Sequence, residues 1–327
     1  MSSLLKKIFR PVKNYQEKIY ENHLFSALDK LKNTCNDFSI TLIDIGAAGD
    51  IEPRWKSISS HLNYIGFEPD ERSSKELINN NNFISWVIHP NVLWDIKEII
   101  NINLTNKPKC SSIYTPNYDF TNLFPDPERF LINNTLSLEA VKLDSLKIPN
   151  IDFIKLDIQG AELNVLKGAN ESLNNCLGLE VEVEFLQLYK GQPLYGEIVD
   201  FLKTKDFEFI DFINLYRWER KEHNNFGQCI FGDGLFLKTP EYIIHKHRND
   251  RMLLYKYLGI CLIYNRLDLI DRFIELSDGK FKMDIKPFLK SIKYFRNKQK
   301  KLKYFIKIID SVLGFFFYKN TRAHVIY

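Results

Sequence analysis

From Ser39 onward the chain alternates short apolar runs with stretches of helical spacing. Thr41–Ile45 and Asn63–Glu68 read as buried strands, Ser85–Leu93 as a third and Ile99–Leu104 as a shorter, alternating one. Ile151–Leu156, rich in β-branched residues, Leu179–Phe185, Phe207–Ile213 and Leu235–Lys238 continue the series. Between them, Ala161–Leu173 and Leu194–Thr204 carry leucines at helical intervals. Strands alternating with helices predict a mostly parallel sheet covered on both faces, and the closely spaced pair at 207–238 predicts an antiparallel edge.

The flanks follow a different period. Before Asn36, Leu4, Leu5, Ile8 and Phe9, then Ile19, Leu24, Leu28 and Leu31, recur at helical spacing, with Pro11 breaking the arm. After Pro240 the strand pattern stops, and Leu253, Leu254, Tyr257, Leu258, Cys261 and Leu262 share helical spacing. The expected organisation is a helical arm over 1–38, an α/β domain over 39–240 and a helical extension over 241–327.

Charge sharpens this division. Residues 241–327 hold 19 Lys and Arg against 8 Asp and Glu; because the whole chain carries +4, the part before them carries a net −7. Within the extension, Lys293–Lys307 has seven basic residues and no acid, interleaved with Tyr294, Phe295, Tyr304 and Phe305, and an apolar stretch follows to Phe317. Such a segment fits a helix lying on an anionic membrane surface, or one packed on protein with its basic face in water. No run of about eighteen apolar residues occurs, and Met1–Val12 lacks the apolar core of a signal peptide. The expected compartment is the cytoplasm, with peripheral contact at the inner membrane surface as one of the two readings of the extension.

With 45% hydrophobic and 26% charged residues, a chain of 327 residues can bury a substantial core and need not be disordered. Five cysteines, odd in number and far apart, form no metal-cage spacing and read as reduced thiols.

Chemistry concentrates at strand ends. Asp44-Ile-Gly46-Ala47-Ala48-Gly49 closes the first strand with a glycine loop, which lets backbone approach a ligand beside the carboxyl end of a parallel sheet. Glu68 closes the second strand 24 residues after Asp44, where a carboxylate accepts both ribose hydroxyls of a nucleoside; Pro69 and Asp70 continue that turn. A dinucleotide also needs such an acid, but its loop is G-x-G-x-x-G, and an acid at Asp44 repels a pyrophosphate while attracting an ammonium or sulfonium. The pattern therefore favours S-adenosylmethionine over NAD, with Asn91 and Leu93, at the end of the third strand, near the adenine.

Three ordered segments resemble one family. Asp44-Ile-Gly-Ala, Gly66-Phe-Glu-Pro69 and Lys155-Leu-Asp-Ile-Gln-Gly-Ala-Glu-Leu-Asn-Val-Leu-Lys-Gly-Ala169 are similar to the FkbM-type methyltransferases, over roughly 41–238. The last segment resembles the family's D-x-E-G-x-E signature, with Gln159 where the family usually has Glu and Ala48 where it often has Asn. The resemblance implies a Rossmann-like class I methyltransferase fold, S-adenosylmethionine as donor, and transfer to a hydroxyl, commonly of a sugar or glycoconjugate.

Methyl transfer requires in-line alignment and removal of the acceptor's proton. Asp157 leads the candidates for that carboxylate and is equally suited to cap the following helix. Glu162 suits either catalysis or the helix dipole. Glu180, Glu182 and Glu184 share one face of a strand, which either lines the acceptor cleft, with Glu182 catalytic, or is solvated. A Mg²⁺ ion could join these carboxylates, though no spacing demands one. Cys110-Ser-Ser-Ile113 could approach the site or only form a turn, and Tyr189–Tyr195 could stack on a sugar or pack on the sheet. Two other readings stay open: a nucleic-acid-modifying methyltransferase, against which the acidic body argues, and a binding module that has lost its activity.

Overall fold

The computed structural model describes residues 21–35, 37–49, 51–74, 82–220 and 226–312, the side chains as far as 301. It divides into two compact units, one of Asp37–Leu276 and one joining the segments Met1–Asn36 and Ser277–Tyr327. In the latter, helix α1 (residues 21–34) buries Leu24, Leu28 and Leu31, one stripe at helical spacing. The helices Gly279–Asp284 and Lys286–Val312 bury Phe281, Phe288, Ile292 and Phe295 in the same way. His23 of α1 stacks on Phe295, centroids 4.1 Å apart, and burial, then the Lys298 charge, lowers its pKa to about 4. The N-terminal leucines, Pro11 and the apolar stretch beyond Val312 lie outside the described residues.

In the larger unit the chain runs through β1 (Ile40–Ile45), α2 (Pro53–Lys56), β2 (Leu62–Phe67), α3 (Glu71–Ser74) and β3 (Ser85–His89). It continues through β4 (Val92–Leu93), β5 (Glu98–Thr105), α4 (Tyr118–Thr121), β6 (Ile132–Val141) and β7 (Phe153–Leu156). Then come α5 (Glu162–Gly168), α6 (Ser172–Asn175), β8 (Gly178–Glu184), α7 (Tyr195–Lys203), β9 (Phe207–Trp218) and β10 (Gln228–Lys238). Helices α8 (Pro240–His247), α9 (Arg251–Ile263) and α10 (Leu267–Leu276) complete it.

The main sheet has the order β3-β2-β1-β7-β8-β10-β9. Its first five strands are parallel, and β10 pairs antiparallel with both β8 and β9. Successive strands step outward from β1 in one direction, then from β7 in the other. The carboxyl ends of β1 and β7 therefore border the crevice where ligands of open α/β sheets bind. Every residue of β1 and of β8 is buried, as expected of strands covered on both faces.

A second sheet, β4-β6-β5, departs from the expected pattern. The predicted strand 85–93 breaks at Pro90-Asn91, giving β3 to the main sheet and β4 to the small one. Strand β6 escaped prediction because half of its ten residues are polar and most are exposed, its apolar alternation being confined to Leu136, Leu138 and Ala140. The crossover helix predicted over 161–173 likewise divides at Ala169-Asn170, where Gly168 passes close to β4: a Cβ on it would lie 2.0 Å from the Trp94 carbonyl oxygen.

The boundary expected at 240 falls instead after Leu276, since α8, α9 and α10 belong to the unit that holds the sheet. Buried polar contacts fix them there. Lys256 of α9 donates to Asp152 at 2.7 Å, and the same carboxylate accepts the Thr41 amide at the start of β1. Tyr257 donates to the Lys238 carbonyl, and Tyr264 donates to Glu180 at 2.6 Å. The Lys256 and Tyr264 contacts need specific partners across 84 or more residues and leave no local sequence pattern.

Candidate active site

The carboxyl ends of β1, β2, β7 and β8 and the first half of the antiparallel β10 open into a cavity of about 490 Å³, roofed by the segments 107–113 and 129–130. Its size is that of a cofactor-sized ligand pocket. Gly46 forms its floor where β1 ends. With φ +81°, and with a Cβ there 2.0 Å from the Asp157 carbonyl oxygen, this position admits only glycine without displacement of β7's end. Its amide donates to the Phe67 carbonyl, and Asp157's amide donates to Ile45, so the ends of β1, β2 and β7 are tied together.

Glu68 lies on one wall, 7% exposed, with Oε1 accepting the Asp70 amide at 2.8 Å. Burial raises its pKa to about 7, with the charges of Asp70, Asp44 and Asp157 acting in the same direction. Asp70 is gripped by the Arg72 fork at 2.6–3.0 Å, which against the opposing effect of burial holds it below the usual carboxylate range. Arg72 also donates to the Thr105 carbonyl and to Ser111 Oγ, linking this wall to the roof.

Asp44 does not line the cavity. It is buried, accepts the Tyr64 hydroxyl at 2.9 Å and lies 3.5 Å from Lys155 Nζ. Lys155 also lies 3.9 Å from Asp157; burial lowers its pKa, but the carboxylates of Asp44 and Asp157 outweigh this and raise it. The attraction for a cationic ligand expected of Asp44 is therefore answered inside the protein, and the acids that face the cavity are Glu68, Asp70, Asp157, Glu182, Glu52 and Asp233.

Gln159 organises the acids at the ends of β7 and β8. Its Nε2 donates to Glu182 at 2.6 Å and to Asp157 at 3.2 Å, while Oε1 lies 3.0 Å from the Tyr189 hydroxyl. The residue holds a left-handed backbone, φ 60°, and its carbonyl accepts the Ser112 hydroxyl. An amide does here what a carboxylate cannot, since it donates to two acids at once. Burial, then the nearby charges of Asp157, Glu184 and Glu162, pushes Glu182 well above the usual carboxylate range. Asp157 is the most open of these acids, with 42% of its side chain accessible.

Of the residues singled out from sequence, Gly46, Glu68, Pro69, Asp70, Asn91, Leu93, Asp157 and Glu182 line the cavity. Asp44, Ala47, Gly49 and Glu162 do not. Glu162 is buried beneath the floor and accepts the Ile158 amide at 2.8 Å, bracing the loop that carries Asp157 and Gln159. Glu180, Glu182 and Glu184 do share a face, but all three are buried rather than solvated. Only Glu182 reaches the cavity, while Glu180 meets Tyr264 and Arg54. Ser111 and Ser112 join the lining, whereas Tyr189 is buried behind it and Tyr195 packs against Phe209 and Phe212. Among the described residues no three His, Cys, Asp or Glu are arranged to hold a metal ion.

Asp233 was not foreseen. It sits in β10 directly across from Glu182 and accepts Asn214 Nδ2 at 2.7 Å and the Tyr216 hydroxyl at 3.3 Å; burial raises its pKa. Nor were Arg129, Tyr216, Trp218 and Phe231, which line the far end. The Phe231-Gly-Asp-Gly run, just before the predicted strand Leu235–Lys238, was the one signal available, since two glycines around an acid are unusual for a strand.

A glycine floor at the β1 end, an acid closing β2 and a further acid closing β7, in a parallel sheet ending in an antiparallel hairpin, define a class I methyltransferase architecture. Residues 44–209 match the model of the methyltransferase FkbM domain. The chain belongs to this family. The crystal structure of methyltransferase FkbM from Methylobacillus flagellatus KT is similar at 15% identity and a TM-score of 0.37, over 61% of this chain and 43% of that one. The chain thus matches less than half the length of that relative. No curated protein matches the sequence. Among the described residues no helix is long and apolar enough to cross a membrane.

Proposed function

We propose that the protein is an S-adenosylmethionine-dependent O-methyltransferase acting on a hydroxyl of a sugar or glycoconjugate. The observation that carries this reading is the pairing, across one cavity, of the buried Glu68 carboxylate with the open Asp157 carboxylate beside the Gly46 floor. Glu68 would accept the ribose hydroxyls, and Asn91 and Leu93 would border the adenine. Lys109, whose Nζ would lie 3.6 Å from a Cβ on Gly49, is suited to the donor's carboxylate. S-adenosylmethionine would supply a methyl group on a positively charged sulfur, open to in-line attack by an oxygen.

Asp157 would take the acceptor's proton, because it is the most accessible acid beside the floor, and Gln159 would hold it in orientation. Burial raises the pKa of both Glu182 and Asp233, which favours their neutral forms and would limit the negative charge that surrounds the reacting oxygen. The sugar assignment is supported by the family's usual substrates and by the aromatic far end of the cavity. A test incubates the protein with methyl-labelled S-adenosylmethionine and a panel of sugars and sugar acids. Label that resists mild alkali supports an ether-forming O-methyltransferase; label released by alkali indicates methyl esters, and no label with any acceptor while the donor binds argues for a binding module.

A further inference from the structure

Opposite the acids at the strand ends, the roof of the cavity carries Lys107, Lys109 and Arg129. Lys155 is engaged with Asp44 and Asp157, but these three form no ion pair among the described residues. The Lys107 amide donates to the Arg129 carbonyl at 3.2 Å, so the two basic residues spring from neighbouring backbone although 22 positions separate them in sequence. Both charges reach the Cys110 thiol, opposing the rise that burial imposes on its pKa.

Arg129 is held in a particular way. Its guanidinium lies 4.5 Å from the centre of the Trp218 ring and 5.1 Å from that of Phe130. An arginine stacked on aromatic faces keeps its planar position while its edge, with the N–H donors, stays available to a carboxylate or phosphate. Trp218 meets Phe231 edge to face at 5.9 Å, and Phe231 stacks on Tyr216 at 4.5 Å, so an aromatic wall runs from Arg129 back to Asp233 beneath the Tyr216 hydroxyl.

We infer that the acceptor is an anionic sugar, its ring laid along Trp218 and Tyr216 and its carboxylate or phosphate gripped by Arg129 and Lys107. This rests on the methyltransferase reading and extends it to the acceptor's charge. The donor has one carboxylate, for which Lys109 at the glycine loop suffices, so Arg129 and Lys107 answer to a second anion. Seating that anion at the roof turns the opposite side of the ring toward Asp157, where a hydroxyl is wanted and a second negative charge would be repelled.

The test titrates full-length protein, saturated with S-adenosylhomocysteine, with glucuronate, glucose 6-phosphate and glucose, following binding by saturation-transfer NMR. The expected result is binding of one or both anionic sugars at least tenfold tighter than glucose, weakening as salt rises from 50 to about 500 mM. The carboxylate and phosphate arms identify which anion is preferred. Arg129→Gln should erase the preference, and Arg129→Lys should restore part of it, with S-adenosylhomocysteine affinity unchanged in both. Equal binding of charged and neutral sugars, binding of none, or a preference that survives Arg129→Gln would overturn the inference. Loss of S-adenosylhomocysteine affinity in Arg129→Gln would assign the residue to the donor and overturn it as well. Failure of S-adenosylhomocysteine to bind the wild type would instead strike the methyltransferase reading, and the sugar titration on free protein still reports the anion preference.

Discussion

The two ends of the cavity are built by different means. At the β1–β2 end, short turns at strand termini supply backbone and one carboxylate, and Gly46, Glu68, Pro69 and Asp70 lie within one stretch of 25 residues. At the β7–β10 end, Asp157, Glu182, Tyr216, Trp218, Asp233 and Arg129 come from five separate segments. The first end is a fixed cradle whose chemistry follows from strand order. The second is an assembled surface, and it is where the proposed chemistry and specificity would reside.

Substitutions should separate the ends. The largest effect is expected from Gly46→Val, which would press a β-branched side chain into β7's end at a positive φ. It should leave no measurable binding of S-adenosylhomocysteine by calorimetry, and near-wild-type affinity would show that the floor is not the binding surface. Next, Asp157→Asn should lower kcat by about a hundredfold or more while donor affinity stays within about threefold, since it removes a proton acceptor and preserves shape. A matching loss of donor affinity would merge the two ends.

Glu68→Gln belongs to the cradle and should weaken donor binding about tenfold. In the wild type, affinity should rise as pH climbs through about 7, because the ribose hydroxyls favour the ionised carboxylate, whose pKa is held near there. That pH dependence should vanish in the variant. Gln159→Glu, which restores the residue usual in the family, would set a third carboxylate against Asp157 and Glu182 and replace a donor by an acceptor. It should shift the rising limb of the pH–rate profile to higher pH with kcat at the plateau changed only a few-fold.

The smallest effect concerns stability. Glu162, Glu180, Glu182 and Glu184 have pKa values raised above the unfolded value by burial, so the folded chain binds more protons than the unfolded chain between about pH 4.5 and 7. Their contribution to stability is complete below the unfolded pKa and declines as pH rises through the folded values. Thermal denaturation should therefore show Tm a few degrees higher at pH 5.5 than at pH 8. The opposite slope would mean that these carboxylates are ionised in the fold.

The contrast between the ends also explains what could be read from sequence. The parallel order, the antiparallel edge and the cradle follow from apolar period and turn residues, which are local signals. Strand β6 alternates only at Leu136, Leu138 and Ala140 and β4 is only two residues long, so of the second sheet only β5 was legible. Glu180 and Glu184 share the periodicity of Glu182, but whether each meets a tyrosine, the cavity or a closed interior depends on partners up to 126 residues away. Arg129 and Asp233 became legible only when folding brought Trp218 and Glu182 beside them.

The most direct test of the account is calorimetric titration of the wild type and Glu68→Gln with S-adenosylmethionine and S-adenosylhomocysteine, with NAD as control. Saturable binding of both, weakened about tenfold by Glu68→Gln and absent for NAD, is the predicted result. No binding of either, or binding of NAD alone, would contradict it.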